Sequence, residues 1–101
     1  MKTYSVRART WEHGWELYIE DLGVTQSRTL QDADMMARDY IALDLDIPED
    51  SFGVDVAPED PILERIWRTP DLSENDRAAL VQLAVALARA AKADRPGRES
   101  A

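Results

Sequence analysis

Residues 4–20 read YSVRARTWEHGWELYIE, in which apolar and polar side chains alternate on either side of a glycine-containing turn. Alternation with a period of two is typical of a strand that buries one face only, so this stretch predicts a β-hairpin. The polar face of the hairpin should stay in water or meet a polar partner. The predicted apolar face carries Tyr4, Val6, Ala8, Thr10, Trp15, Leu17 and Ile19.

The register of the hairpin depends on where its turn lies. We place a two-residue turn at His13-Gly14, because glycine readily adopts the positive φ of tight hairpin turns. A shift of one residue would mix the two faces, which the alternating pattern opposes. The predicted cross-strand pairs are Ala8 with Ile19, Thr10 with Leu17, Arg7 with Glu20 and Arg9 with Tyr18.

The next segments extend the order of elements to β-β-β-α-β. Residues 24–26 predict a short third strand, and residues 52–56 alternate as a fourth. Between them, a capping contact from the Thr29 side chain is predicted to start an amphipathic helix that runs to about residue 43, before Pro48. Ser73 is predicted to cap the last helix in the same way. We therefore predict an α+β fold in which a small, mainly antiparallel sheet carries one principal helix on one face.

The second half of the chain is predicted to be helical and to serve assembly. The predicted units are a β-β-β-α-β domain at residues 1–57, a proline-containing linker with a short helix at 58–72, an amphipathic helix at 73–94 and a disordered tail at 95–101. In the last helix, Leu80, Leu83 and Leu87 recur on one side. Such an apolar side must dock on its own sheet or on a second subunit. These leucines and Trp67 are therefore candidates for a homodimer or higher-oligomer contact.

Composition restricts the chemistry that is available to the chain. It has 101 residues, enough for one domain, with no cysteine and a single histidine, His13. These counts exclude disulfides, thiol catalysis and cysteine-based zinc sites, and we predict no catalytic residue, cofactor or metal ligand. The start of the chain has no signal-peptide core, and no apolar run approaches the ~20 residues that span a bilayer. We expect a soluble, cytoplasmic protein.

Acidic residues dominate the charge of the chain. It carries 20 Asp and Glu against 12 Lys and Arg, for a net charge of −8, and 18 of the acidic residues lie between positions 12 and 76. Such a body repels phosphate backbones and suits a basic protein partner, although acidic surfaces also favour solubility alone. The run at Asp44, Asp46, Glu49 and Asp50 lacks the spacing of a calcium-binding EF-hand. We interpret it as a solvated loop or as a surface for a basic partner.

Several short motifs occur in a fixed order in the first half of the chain. They are Tyr4-Ser5-Val6, Gly14-Trp15-Glu16-Leu17, Asp21-Leu22-Gly23-Val24-Thr25-Gln26, Thr29-Leu30 with Ala33, and Tyr40-Ile41. Over residues 3–57 this set resembles the short form of the HicB-like antitoxin family. The resemblance implies a partial ribonuclease-H-like fold without catalysis, which binds and blocks a small basic endoribonuclease toxin (HicA-like) and forms dimers or higher oligomers. The chain departs from the family at residues 20–23, where many relatives have Pro-Asp-Leu-Pro-Gly. In addition, residues 58–101 show no clear helix-turn-helix or ribbon-helix-helix unit.

The residues of the first strand are a separate reason to expect no nuclease activity. Two-metal nucleases of the ribonuclease-H type need carboxylates on this strand and its neighbours. Residues 4–10 contain none and offer Arg7 and Arg9 instead. An alternative function is therefore that of a DNA-binding transcriptional autoregulator in which these two arginines contact DNA, since ribbon-helix-helix proteins insert a strand into the major groove. A further alternative is a stand-alone HicB-like regulatory module that has no toxin.

Six residues are candidates for contact with a partner. Trp11 lies near the tip of the hairpin, where it is either an aromatic anchor for a partner or a cover over the hairpin itself. We predict that His13 is a turn residue and not a catalytic base, because no Ser, Cys or second His forms a catalytic arrangement with it. The candidate set is Trp11, Glu16, Tyr18, Glu20, Asp44 and Asp46.

Overall fold

The computed structural model describes the backbone of residues 1–99 and the side chains of residues 1–91. It is an α+β structure whose first five elements follow the β-β-β-α-β order, so the predicted fold class is confirmed. No helix in this part of the chain is both long and apolar enough to cross a membrane. The elements are β1 (Thr3–Trp11), β2 (Gly14–Ile19), β3 (Gly23–Ser27), α1 (Ala33–Leu45), β4 (Gly53–Pro58), α2 (Pro61–Trp67) and α3 (Glu74–Glu99).

The four strands form one mixed sheet in the order β3-β2-β1-β4. β1 pairs antiparallel with β2, and β2 pairs antiparallel with β3. After α1, the chain returns as β4 at the opposite edge, where it runs parallel to β1 with Val56 beside Val6. The two strands with the clearest alternation in sequence are therefore the central ones, with a neighbouring strand on each side.

The predicted register of the hairpin is wrong by two residues. Trp11 pairs with Gly14. The loop is therefore Glu12-His13, one position earlier than predicted. A shift of two residues keeps every side chain on its own face, so the alternating pattern cannot distinguish the two registers. The observed pairs are Val6 with Ile19, Arg7 with Tyr18, Ala8 with Leu17, Arg9 with Glu16 and Thr10 with Trp15.

Gly14 determines where the hairpin turns. Its backbone lies at φ 130°, a region that residues with a Cβ rarely adopt. A Cβ at this position would collide with the carbonyl oxygen of Ser27 and would lie 3.1 Å from the Cα of Arg28. The close approach of the chain after β3 thus requires glycine as the first residue of β2, not as part of the turn.

One face of the sheet holds the hydrophobic core. α1 buries Ala33, Ala37 and Ile41 against this face, in agreement with its predicted amphipathic pattern. α2 and α3 contribute Leu63 and Val81 to the same cluster, so the last helix packs in part on its own sheet. The strand residues of the core are Val6, Ala8, Trp15, Leu17 and Ile19, which Leu30 and Phe52 join from the loops.

The ends of α1 differ from the prediction. The helix begins at Ala33, after a turn in which the Thr29 hydroxyl accepts a hydrogen bond from the Asp32 amide at 3.2 Å. The predicted capping contact is therefore present, but it closes the turn before the helix. At its other end α1 continues to Leu45 and stops at Asp46, whose φ of 54° is left-handed.

α3 begins as predicted and ends later. The Ser73 hydroxyl accepts a hydrogen bond from the Asp76 amide at 3.1 Å, which satisfies a free N–H of the first turn. The helix runs to Glu99, so residues 95–99 of the predicted disordered tail are helical, Pro96 included. A proline inside a helix removes one N–H and its ring crowds the carbonyl group four residues earlier, at a cost of about 3 kcal/mol, which is why the helix was predicted to end before Pro96. The last two residues of the predicted tail lie outside the described residues.

The short helix predicted within the linker is α2. The Asp60 carboxylate accepts hydrogen bonds from the amides of Ile62 and Leu63 at 2.8 and 3.3 Å and so caps its first turn. On α3, Arg77 donates to the carbonyl oxygen of Thr69 at 2.8 Å, between the two helices. The linker is thus bound to its own chain.

Arg38 joins α1 to the loop before β4. Its Nη1 donates to the carbonyl oxygens of Glu49 and Phe52 at 2.9 and 3.0 Å, and its Nε donates to Asp34 at 3.2 Å. We expect Arg38→Ala to lower the free energy of unfolding by about 2 kcal/mol, because hydrogen bonds from a charged donor contribute roughly 1.5–3 kcal/mol. Urea denaturation measures this change. As a control, Arg65→Ala at an exposed arginine of α2 should stay within about 0.5 kcal/mol of wild type, and equal effects would contradict the prediction.

Candidate protein-binding surfaces

The face of the sheet that points away from α1 is open to solvent, and we call it the open face. Arg7 and Arg9 of β1 are exposed on it, and Tyr18 of β2 is half-buried among its neighbours. Val24 of β3 is 49 % exposed, so the surface is partly apolar. The side chains of the open face are those of Ser5, Arg7, Arg9, Glu16, Tyr18, Val24, Gln26, Asp55 and Ala57.

Arg9 is held within its own chain. Its Nη2 donates to both carboxylate oxygens of Glu59 at 3.2 Å, and its guanidinium lies 5.3 Å from the ring centre of Tyr18. The hydrogen bond and the negative charge of Glu59 raise the pKa of Arg9 above its usual value. The sequence predicts Arg9 directly opposite Tyr18. In the structure Glu16 lies directly opposite Arg9, so Arg9 contacts Tyr18 diagonally across the two strands. Because the Glu59 carboxylate offsets the positive charge of Arg9, the alternative of DNA binding through Arg7 and Arg9 is weakened.

Three predicted partner-binding residues lie on or beside the open face. The Tyr18 hydroxyl donates to Glu16 Oε1 at 3.1 Å, and Glu20 Oε1 accepts a hydrogen bond from the Ser5 amide at 2.9 Å. Arg7 lies opposite Tyr18, not opposite Glu20 as predicted. Because these carboxylates already accept hydrogen bonds and lie among arginines, the open face is a polar surface of mixed charge.

The C-terminal end of α1 and the loop after it carry four exposed carboxylates. We call this surface the acidic end; it consists of Asp44, Asp46, Glu49 and Asp50. No basic residue lies in the last turn of α1, where the carbonyl groups already carry partial negative charge. Carboxylates at such an end raise the electrostatic free energy of the free chain, and a cationic partner would lower it. In the described residues, no group of three or more His, Cys, Asp or Glu side chains is arranged to hold a metal ion.

The acidic end also exposes apolar side chains. Leu43 is 76 % exposed and Leu45 is 38 % exposed, on either side of Asp44 in the last turn of α1. This surface belongs to the helix layer, on the other side of the sheet from Glu16 and Tyr18. The predicted partner-binding residues are therefore divided between two separate surfaces.

Trp11 lies at the end of β1, against α3. Its carbonyl oxygen accepts a hydrogen bond from Arg89 Nη2 at 2.7 Å, and its ring meets the ring of His13 edge to face at 4.8 Å. Its indole N–H is buried without a hydrogen-bond partner in the described residues. This placement favours the interpretation of Trp11 as a cover over the hairpin. His13 is exposed in the loop, 3.2 Å from the Glu12 carboxylate.

The outer side of α3 carries a row of exposed leucines. We call Leu80, Leu83 and Leu87 the leucine stripe; they are 39 %, 56 % and 61 % exposed. Trp67, the fourth predicted oligomerisation residue, is half-buried against the core, and the Arg77 guanidinium lies 6.0 Å from its ring centre. The structure therefore groups three of the four predicted residues and separates the tryptophan from them.

Sequence analysis missed a groove between the hairpin, α2 and α3. This groove has a volume of about 380 Å³, and Leu63, Ala84 and Ala88 contribute to its apolar lining. Ile62, at the start of α2, is 69 % exposed on its wall. The groove walls lie far apart in sequence, so no local pattern could indicate it.

Comparison of the chain with models of protein families, with curated proteins and with solved structures found no match. A proposal of function therefore depends on the motifs of the first half of the chain and on the surfaces described above.

Proposed function

We propose that this chain is a non-catalytic, cytoplasmic, HicB-like antitoxin that binds a small basic endoribonuclease and keeps RNA from its active site. The observation that carries the proposal is the acidic end, which combines four exposed carboxylates with an exposed leucine. The resemblance of residues 3–57 to the HicB-like family agrees with this interpretation.

Electrostatics supply the reason for binding. A ribonuclease that holds RNA phosphates needs a cationic surface, and the acidic end offers carboxylates to the same cations. Opposite fields speed the encounter of the two proteins. Leu43 provides an apolar contact within the charged surface, and a side chain of this size can anchor a contact once water is excluded. Occlusion of this kind needs no chemical step.

The cations of β1 support the non-catalytic part of the proposal. A two-metal nuclease requires carboxylates that converge on the metal ions from neighbouring strands. On the open face, β1 presents Arg7 and Arg9, and Arg9 is bound to Glu59. Positive side chains on this strand would repel metal ions.

The gene beside the one for this chain provides the direct test. The proposal requires that it encode a small basic protein whose expression cleaves RNA and stops growth. Co-expression of this chain should restore growth, and the two proteins should co-purify. The proposal would be overturned if the neighbouring gene encoded a protein of another kind, or if co-expression of this chain did not relieve the growth arrest. Either result would favour a regulatory module without a toxin.

Charge reversal at the acidic end should separate binding from stability. We expect Asp44→Lys with Glu49→Lys to weaken affinity for the neighbouring basic protein at least about tenfold, the effect of losing close interfacial charge pairs. Stability should not fall, because both side chains are exposed and a cation at position 44, in the last turn of α1, contributes about 0.3–1 kcal/mol. Calorimetry and urea denaturation measure the two quantities.

The matched control for charge reversal is Glu12→Lys with Asp71→Lys. Both residues are exposed and lie outside α1, and the control changes the net charge by the same amount. It should weaken affinity only slightly, through the long-range field. Equal losses of affinity in both double variants would show that net charge alone, not the acidic end, is recognised.

A further inference from the structure

We propose that a cavity between the hairpin loop, the turn after β3 and α3 binds a small organic anion, one that has an apolar body and a single carboxylate or phosphate group. We call it the Arg28 cavity; its volume is about 420 Å³. Sites for small ligands in proteins usually have volumes of roughly 300–1,000 Å³. The Arg28 cavity is separate from the acidic end, and it borders the groove beside Ile62 at Val85 and Arg89.

Three segments that are distant in sequence form the walls of the Arg28 cavity. The hairpin lies against the turn after β3, where a Cβ on Gly14 would be 3.1 Å from the Cα of Arg28. α3 forms the third wall, and Arg89 fixes it to the hairpin. Arg89 Nη2 donates to Thr10 Oγ1 at 3.2 Å and to the carbonyl oxygen of Trp11 at 2.7 Å. The walls are thus held in place before a ligand arrives, which reduces the entropy that binding costs.

The floor of the cavity is apolar. Trp15, Leu30 and Val81 line it, and all three are buried in the hydrophobic core. Val85 of α3 is half-buried beside them. An apolar group on a ligand would pack against these side chains, because removal of apolar surface from water favours association. The floor therefore selects a ligand that has an apolar body.

The rim of the cavity carries two arginines, Arg28 and Arg89, and both are exposed. The two hydrogen bonds from Arg89 to the hairpin leave from one nitrogen and reach uncharged oxygens. They orient the guanidinium without offsetting its positive charge. A guanidinium has five N–H donors, so Nε and Nη1 carry donors that these two bonds do not use. An anionic group at the rim could accept hydrogen bonds from them.

The positive charge of the rim is not balanced by its surroundings. Arg9, Arg38 and Arg68 are each paired with a carboxylate, whereas neither arginine of the rim has such a partner in the described part of the chain. Among the described residues that line the cavity, only Glu12 is acidic, and its carboxylate lies 3.2 Å from Nε2 of His13. Charge complementarity therefore favours an anion at this place in a chain whose net charge is −8.

The charges outside the cavity restrict the size of the anion. A nucleic acid strand would extend its phosphates beyond the rim, onto the surface of a chain with 20 acidic residues, and would be repelled there. The adjoining groove is lined by Glu12 and Asp60, so it also disfavours negative charge. A small anion can place its one charge near the two arginines and its apolar body over the floor.

An NMR titration of the full, isotope-labelled chain tests the site, with phenylacetate and phenyl phosphate as probes. We expect saturable shifts of the Gly14 and Gln31 amides and of the Trp15 indole N–H, with a dissociation constant on the order of 1 mM for probes of this size. The indole N–H of Trp67, which lies outside the cavity, should not shift. Tighter binding of phenyl phosphate would assign the site to phosphate esters, and tighter binding of phenylacetate would assign it to carboxylates.

An uncharged probe and a matched pair of variants test the role of charge. Phenylacetamide, the neutral analogue of phenylacetate, should bind at least about tenfold more weakly, because it cannot accept charge-assisted hydrogen bonds as a carboxylate does. Arg28→Gln should weaken both anionic probes about tenfold, and its fold should be unchanged because the side chain is exposed. Arg65→Gln, at an exposed arginine of α2, makes the same change in net charge and should bind the probes within about twofold of wild type.

Four outcomes would overturn the proposal. They are the absence of saturable shifts with either anionic probe up to about 10 mM, equal affinity for phenylacetamide and phenylacetate, and equal losses in the two arginine variants. The fourth is an RNA oligonucleotide that binds the cavity more tightly than phenyl phosphate, which would identify a nucleic-acid surface instead. Because the experiment uses this chain alone, none of these outcomes depends on whether a toxin exists.

Discussion

Gly14→Ala is expected to lower the free energy of unfolding by at least about 2 kcal/mol, since a residue with a Cβ in a sparsely populated φ region costs roughly 1–3 kcal/mol. The added Cβ would also collide with the Ser27 carbonyl oxygen. The chain must then move β3 away from β2 or change the pairing of Gly14 with Trp11. Urea denaturation measures the loss, and hydrogen exchange of the β2 and β3 amides shows where the sheet opens.

Gly53→Ala is the control for this substitution. Gly53 begins β4, and the three heavy atoms nearest to a Cβ there all belong to the Thr3 side chain, with its Oγ1 at 2.9 Å. That side chain can rotate, so we expect a change of less than about 1 kcal/mol. If Gly14→Ala proved as mild as Gly53→Ala, the close approach between β2 and the chain after β3 would be refuted, and with it our explanation of the turn.

Leu17→Ala is expected to be the most damaging substitution in the core, with a loss of about 2–5 kcal/mol. Leu17 is fully buried on β2, opposite Ala8 on β1 and Thr25 on β3. Its two neighbours across the strands are small, so they cannot fill the cavity that the missing side chain leaves. A domain of this size has a total stability of about 5–15 kcal/mol, and the variant would therefore lose a large part of it.

Leu43→Ala provides the comparison for the core substitution. The same leucine side chain is 76 % exposed at the end of α1, and its truncation should change stability by less than about 0.5 kcal/mol. Thermal unfolding monitored by circular dichroism compares the two variants. A small effect at Leu17 would mean that β2 is not the centre of the core.

The acidic end and the leucine stripe lie on different helices. The acidic end is at the end of α1, where we propose that a basic partner binds, whereas the leucine stripe is on the exposed side of α3. The open face, by contrast, carries Arg9 in contact with Glu59 and has no excess of either charge. Each of these surfaces can therefore be changed by substitution without changing the others.

The candidate surfaces could be predicted only in part. The acidic run and the repeated leucines are local patterns, and their exposure follows from polarity or from the side of the helix that they occupy. That Trp11 lies beneath α3 could not be predicted, because its contact with Arg89 spans 78 positions. The groove beside Ile62 depends on the same distant approach of α3 to the hairpin.

The sequence by itself determined the order of elements, the inward and outward sides of β1 and β2, and the capping contacts of Thr29 and Ser73. These features depend on residues at most four positions apart, where backbone geometry dictates which side chains meet. Tertiary structure decided the hairpin register, the parallel pairing of β4 with β1 and the division of apolar side chains on α3 between core and surface. A two-residue shift of a strand preserves its faces, so only the contact of Gly14 with the chain after β3 could distinguish the registers.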